Sequence, residues 1–546
     1  MARSELMNLI RSWVRDRQEA EAKGLPVSAI REERERAAEE RERRGIGRRQ
    51  FLVGAAAATG AMMLPKRVYA GNAPRVAVVG GGISGMAAAL TLADAGIAAT
   101  VYESSGRIGG RMFSNASGYW TDNQVSEWCG ELIDTSFVTI QGLAKRFGLT
   151  IEDESAAHPR GSTETYYFGG KYYTALQAEV DFDPVYKKLQ DDRRFASYPT
   201  TFSISTAEGR ALDNMSVYDW IESRVAGGHA SPMGQLLDVA YVIEYGVDTR
   251  DQSALNLVYL LGYQPNSKRL ALYGKSDERW HIRGGNQQLP VAIANALGAA
   301  VQTSMRLVAI ASNADGTSTL TFRNGATTKT VIADLVILTV PFAAMSGVDY
   351  TKAGFDTLKQ TAITQLGKGK NGKLQLQFTS RLWNQQGPWG VSNSSTYGDT
   401  GFQLCWEPSR GQPGNSGIFN NYTGGAPTVG MSTKTAYAVI DSNPAVRTDA
   451  QRFLGQIEPV FPGLTPLWNG KATSSLPHLD PNFACSYSYW RVGQYQRFAG
   501  YERVRQGNIF FAGEHCSQDF QGFMEGGAAE GVRAAKEVLD AIGARK

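Results

Sequence analysis

The chain has 546 residues, 42% hydrophobic and 20% charged, a composition that builds a large buried core and excludes the collagen and disordered classes despite 60 glycines. At roughly 100–200 residues per domain, two or three domains are expected. A formal charge of +4 gives no ground for nucleic-acid binding, and Cys129, Cys405, Cys485 and Cys516, with no CxxC pair, argue against a disulfide framework or a structural zinc site.

Residues 31–44 read REERERAAEERERR, with six acidic and six basic side chains. Glu and Arg favour helix, and the pairs Glu32–Arg36 and Glu40–Arg44 support one with a solvated face. Gly45 and Gly47 break it. Arg48 and Arg49 then lead into an Ala/Gly-rich apolar run, residues 51–64, whose 14 residues fall short of a bilayer span. A twin arginine before a mild apolar run is the pattern of a Tat export signal, with small residues placed for cleavage after Ala70. If used, it takes the protein to the periplasm or outside the cell; otherwise the protein stays in the cytoplasm.

The folded body opens with RVAVV at residues 75–79, a short β-branched strand entering Gly80-Gly81-Gly82-Ile83-Ser84-Gly85. An Ala/Leu-rich helix follows over residues 86–95, Gly96 ends it, and residues 98–102 form a second strand leading to Glu103. Gly80 makes the tight turn and Gly82 lets backbone approach a pyrophosphate. Gly85 permits close helix–strand packing, and the helix start, with Ile83 and Ser84, faces the phosphates. Glu103, 18 residues after Gly85, is placed to hold ribose hydroxyls. Residues 104–111 add Gly109 and Gly110 beside Arg107 and Arg111. This second close-approach loop carries positive charge suited to the diphosphate of FAD rather than NAD.

Further along, residues 282–286 (IRGGN) precede a helix over 289–297, and residues 334–341 (DLVILTVP) form a buried strand. Residues 508–514 (NIFFAGE) form an apolar strand ending at Gly513-Glu514. Residues 522–531 then open a last helix through Leu539, whose free N–H groups can point at a ring oxygen.

As a set, residues 80–85, 107–111, 282–285, 334–341 and 511–530 resemble the flavin amine oxidase superfamily, which includes monoamine, polyamine and L-amino acid oxidases. The resemblance implies an α/β (α+β) fold. A Rossmann-like FAD-binding domain is assembled from separated segments (71–140, 276–350 and 491–546). A substrate-binding domain has a helical part (141–275) and a sheet part (351–490), and residues 1–70 hold the charged helix and signal. By that match Glu103 takes the ribose and Arg111 the pyrophosphate. Val308 meets the adenine through its backbone, Glu514 binds the ribityl chain, and Met524 lies beside the flavin pyrimidine. The match also implies the chemistry: a neutral amine loses its α-hydrogen to the flavin, the imine hydrolyses, and dioxygen reoxidises the cofactor to give hydrogen peroxide. The protein positions the substrate and keeps it dry.

Lys373 lies in an alternating strand, GKLQLQF, ten residues before Trp383. The resemblance places a lysine there to hold a water near the flavin, where a cation favours the charge that develops as oxygen is reduced. Phe523 and Tyr487 align with two walls of an aromatic cage that desolvates the amine and favours its neutral form. Trp406 and Trp490 are further pocket candidates, and no metal is expected. Covalent attachment in relatives uses a cysteine just before the cage tyrosine; Ser486 stands there, with Cys485 one residue earlier, so the FAD is expected to be noncovalent.

The leading expectation is oxidative deamination of L-amino acids to 2-oxo acids, ammonia and hydrogen peroxide. Many L-amino acid oxidases clamp the carboxylate with an arginine where this chain has Ile133, so another cation has to serve, and Arg491 is the candidate. An oxidase of primary amines or polyamines is the alternative. Polyamine oxidases would line the route with carboxylates, and no acidic cluster stands out around the cage segments. From another class, a flavin-dependent desaturase or isomerase shares the FAD motifs but prefers large apolar substrates. The expected partners are a small amino acid or amine and O2, without nucleic acid or stable membrane insertion; a homo-oligomer is left open.

Overall fold

The β-branched run Val76–Val79 becomes the central strand of a five-stranded sheet, every one of its residues buried. In this computed structural model, which describes residues 74–264 and 270–544, it pairs in parallel with Leu335–Leu338 on one side and Ala99–Tyr102 on the other. Ile509–Phe511 and Val301–Gln302 add the outer strands, also in parallel. Continuous burial is what a parallel sheet covered on both faces requires. Segments near residues 76–102, 301–338 and 509–511 thus converge in one Rossmann-like core.

The helix Ile83–Asp94 leaves the first strand and packs against the last helix, Met524–Ala544. Their crossing is close: a Cβ on Gly531 would stand 2.1 Å from the Ser84 carbonyl oxygen. Both helix starts are thereby drawn to the same end of the sheet.

A second, eight-stranded sheet carries the substrate side, with Asn371–Phe378 inside it between Trp468–Ser475 and Gly417–Gly424. Leu404–Trp406, Ser392–Gly398 and Thr163–Phe168 continue it, the last two in parallel. Alternation along Asn371–Phe378 sends Leu374, Leu376 and Phe378 into an apolar core with Trp383, Phe419 and Phe453. Lys373, Gln375 and Gln377 face the other way, onto residues 121–131. The helix Pro232–Tyr245 is capped by Ser231 and ended by Gly246 in the left-handed region (φ 68°), and this stop puts Glu244 and Tyr245 at a cavity wall.

The charged helix and the twin-arginine leader expected before residue 71 lie outside the described residues. Among the described residues no helix is long and apolar enough to cross a membrane.

Candidate active site

One cavity runs from the ends of Val76–Val79 and Leu335–Leu338 to the eight-stranded sheet, the place where doubly wound folds receive ligands. At its first end the walls are largely backbone. Gly80 has φ +116°, and a Cβ there would lie 2.2 Å from Thr339 Oγ1; a Cβ on Gly110 would lie 3.1 Å from Gly82 Cα. Two loops meet with no room for side chains, and Gly82, Ile83, Gly109 and Arg111 share the wall. Ser84 Oγ, at the helix start, is buried without a protein partner. Glu103 is fixed by Gly81 N–H (2.6 Å), Ser105 N–H (2.7 Å) and the Ser105 hydroxyl (2.7 Å) while facing the cavity.

Arg111 donates to Glu514 Oε1 (3.0 Å) and to the Ser486 carbonyl (2.8 Å). Glu514 also accepts from the Ser488 hydroxyl (2.7 Å) and Gly522 N–H (3.0 Å). Burial works against its ionisation, but Arg111 and the hydrogen bonds outweigh that and hold the carboxyl below its usual range. Gly513 and Met524 line the same stretch. Backbone N–H groups, an orphaned hydroxyl and two fixed carboxylates fit the phosphates and hydroxyls of a dinucleotide.

Gly85 does the packing expected of it, and two other expected cofactor residues, Arg107 and Val308, do other work. Gly85 stands behind the turn, where a Cβ would meet Gly80 O at 1.9 Å, so it serves packing rather than the wall. Arg107 stacks over Phe113 (3.8 Å) and donates to Gly110 O (2.8 Å), bracing the loop from behind. Val308 sits at a bulge between Leu307 and Ala309; Met305, Arg306 and Leu307 line the cavity in its place, because Met305 N–H donates to Glu103 O (2.7 Å) and turns that segment inward.

At the other end Lys373 is buried, whereas Lys368 and Lys370 are exposed. Its Nζ donates to Glu131 Oε2 (2.5 Å) and Cys129 O (2.7 Å), and Trp406 Nε1 donates to Glu131 Oε1 (2.7 Å). Tyr487 donates to Ile243 O (2.9 Å), which leaves the Tyr422 hydroxyl to donate to Tyr487 (3.0 Å). Trp406 meets Tyr422 edge-on at 5.1 Å. Phe523 lines the same space, and an added Cβ on neighbouring Gly522 would stand 3.8 Å from the Tyr487 ring. Lys373, Trp406, Tyr487 and Phe523 are therefore brought together.

Trp490 and Arg491 are not. Trp490 packs on Tyr495 (5.0 Å) and Phe498 (5.6 Å), off the cavity, because its carbonyl is held by Ser253 N–H and Asn256. Arg491 is exposed, 4.0 Å from Asp251. Ile133 is fully buried and pairs with Trp280; Leu132 takes the wall instead.

Sequence reasoning missed the acids. Glu131, Glu244 and Glu278 all line the substrate end. Glu278 has a left-handed backbone (φ 43°) and donates its N–H to Asp134 Oδ1 (2.8 Å). Burial, reinforced by Asp134, pushes its carboxyl up to about 8. Behind it, Glu127 pairs with His281 (2.8 Å), and Arg410 reaches Glu154 (3.3 Å). Only Glu131, two residues before Ile133, lay in a stretch with any signal.

Residues 83–539 match the family described as flavin containing amine oxidoreductase. The chain is 26% identical to polyamine oxidase 2 of Arabidopsis thaliana over 485 residues, 85% of this chain and 88% of that protein. It is 23% identical to the L-amino-acid oxidase of Mus musculus over 493 residues, 86% and 71% of the two chains. Among solved structures, cyclohexylamine oxidase from Brevibacterium oxydans has a TM-score of 0.73 at 18% identity, covering 86% of this chain and 99% of its own. Putrescine oxidase bound to putrescine has a TM-score of 0.71, also at 18% identity, with the same coverage. These structural likenesses carry the fold. Since the family match begins at Ile83 and runs into the last helix, it takes in nearly all the segments that meet at the cavity, and the chain belongs to the flavin-containing amine oxidoreductases, enzymes whose cofactor is a flavin.

Proposed function

We propose that the protein oxidises amines that carry no carboxylate beside the reacting nitrogen, using noncovalent FAD and O2 and releasing hydrogen peroxide. The charge at the substrate end of the cavity carries this reading. Among the described residues the cations of the wall are Arg111, Arg306 and Lys373. Lys373 is paired with Glu131 and Arg111 with Glu514. Arg306 is at the other end, donating to Pro481 O (2.7 Å). An amino acid would bring its carboxylate among Glu131, Glu244 and Glu278 with no free cation among the described wall residues to receive it, and a buried unpaired charge is costly. The names of the relatives fall on both sides, polyamine and L-amino-acid oxidases, and the charge of this cavity supports the amine.

When bound, the FAD supplies a two-electron acceptor. The protein does the rest. Tyr422, Tyr487, Trp406 and Phe523 exclude water around the nitrogen and favour its neutral form. Glu131 and Cys129 O hold the Lys373 ammonium at one place in that wall. Ser486, at the tethering position, faces the cavity, while the Cys485 thiol lies outside the wall and is pushed up to about 12 by burial. Both features support a noncovalent cofactor.

Peroxide release from phenethylamine and from L-phenylalanine tests the reading. The amine is expected to have the higher kcat/KM by orders of magnitude. A higher value for the amino acid overturns it. Export by the Tat route is proposed from Arg48 and Arg49, and N-terminal sequencing of the periplasmic protein, expected to begin at Gly71, checks it.

A further inference from the structure

We propose that the substrate end of the cavity contains a subsite for a second ammonium group, with Glu278 as its acceptor, so that diamines are preferred over monoamines of equal length. The inference rests on the amine reading and adds which amines are selected.

Glu278 lies in an irregular stretch just before the strand Trp280–Ile282. Its left-handed backbone is one that a residue with a long side chain avoids unless its surroundings impose it. Asp134 imposes it, accepting from both Glu278 N–H (2.8 Å) and the Ser276 hydroxyl (2.8 Å). The result is an acidic residue fixed in the cavity wall.

That carboxylate has no hydrogen-bond or ion-pair partner among the described residues, unlike the acids around it. Glu131 has Lys373 and Trp406. Glu127 has His281, and Glu154 has Arg410. Arg410 acts on Glu278 only through space: its hydrogen bonds go to Glu407 O, His158 and Glu154. Glu278 is half-buried in the wall, and an acid held there without a partner marks either strain or a place for a ligand. Burial first, then Asp134, raise its proton affinity; Arg410 opposes them without cancelling them, which describes a site with room for a further positive charge. A cation arriving with the substrate supplies it. The uncharged rings of Tyr422 and Trp406, which share the wall with this acid and the Lys373 pair, suit the methylene chain that joins two nitrogens.

The test compares kcat/KM of the full-length holoenzyme for putrescine, cadaverine and hexamethylenediamine with butylamine, pentylamine and hexylamine. At least one diamine is expected to exceed its monoamine by about 10- to 100-fold, the range of a hydrogen bond to a charged group. Glu278→Gln is expected to bring that ratio close to unity, and Glu278→Asp to retain part of it, with thermal unfolding confirming that both variants fold. Calorimetric binding of diguanidinobutane and butylguanidine, which are not oxidised, reads the subsite without turnover. Tighter binding of the diguanidine, lost in Glu278→Gln, supports it. Equal ratios for both substrate classes in the unaltered enzyme, with Glu278→Gln changing nothing, overturn the subsite and leave the amine reading standing. If only amino acids are oxidised, the amine reading fails, and equal binding of the two guanidines then overturns the subsite as well.

Discussion

Lys373 and Glu131 form a 2.5 Å ion pair in the cavity wall, their side chains 8% and 4% exposed. Each partner is also held from behind, Lys373 by Cys129 O and Glu131 by Trp406 Nε1. The pair gives the cavity wall a fixed cation without adding net positive charge, and the proposed preference for amines rests on that distinction.

Lys373→Met leaves Glu131 as an uncompensated buried charge, so the variant should lose about 3–5 kcal/mol of stability. Lys373→Met with Glu131→Gln should recover much of it, a coupling that denaturant unfolding of the four proteins measures. In stopped flow, Lys373→Met should slow reoxidation by oxygen more than reduction by substrate, because the ammonium acts on charge that appears when oxygen is reduced. Equal slowing of both half-reactions would mark a structural lysine.

Glu103→Ala removes the acceptor of Gly81 N–H and the carboxylate facing the cavity. FAD should be held more weakly by roughly 1–3 kcal/mol. The flavin-to-protein ratio after exhaustive dialysis reads this directly, and full retention would mean that the carboxylate does not meet the cofactor.

The cradle was legible because its signals are local. A strand, a glycine turn and a helix follow one another, and the helix expected over 86–95 begins only three residues earlier, at Ile83. Lys373 was legible because alternation in a strand assigns faces. Glu278 was not: Lys275-Ser276-Asp277-Glu278-Arg279 reads as a solvated turn, and what aims Glu278 is Asp134, 144 residues away. Trp490 and Arg491 misled for the opposite reason. Rings beside a cation look like a pocket wall, but after the strand Ser488–Tyr489 the chain turns into the packing of the helix Gln494–Phe498. The bulge at Val308 leaves no mark in composition.

Glycine positions separate packing from mere freedom. Gly531→Ala should drive a methyl against the Ser84 carbonyl, 2.1 Å away, lowering both thermal stability and flavin content because Ser84 is in the cradle. Gly455→Ala, in the helix Pro444–Ile457 with nothing within 4 Å, should instead stabilise by about 0.5–1 kcal/mol. Melting temperatures that move the same way in both variants would contradict the close helix crossing.

Buried acids also set a pH dependence of stability. Burial raises Glu278 and Glu502 to about 8 from the usual 4.5. The folded chain therefore keeps protons that the unfolded chain has released, and stability falls as pH rises towards 8. His281 adds the same sign. Burial opposes its charge, but the hydrogen bond to Glu127 lifts it to about 9 from 6.5, so its contribution is full below about pH 6.5 and is lost as pH rises through 9. His158, His478 and His515, pushed to about 4 by burial, act only below about pH 6.5. Lys359, lowered to about 8 by burial, opposes the trend chiefly above that value. Unfolding free energy should therefore decline between about pH 6.5 and 8, and Glu127→Gln should flatten the decline by releasing His281. Denaturant unfolding across that window decides, and a flat or rising profile would mean that these groups are not held as the structure holds them.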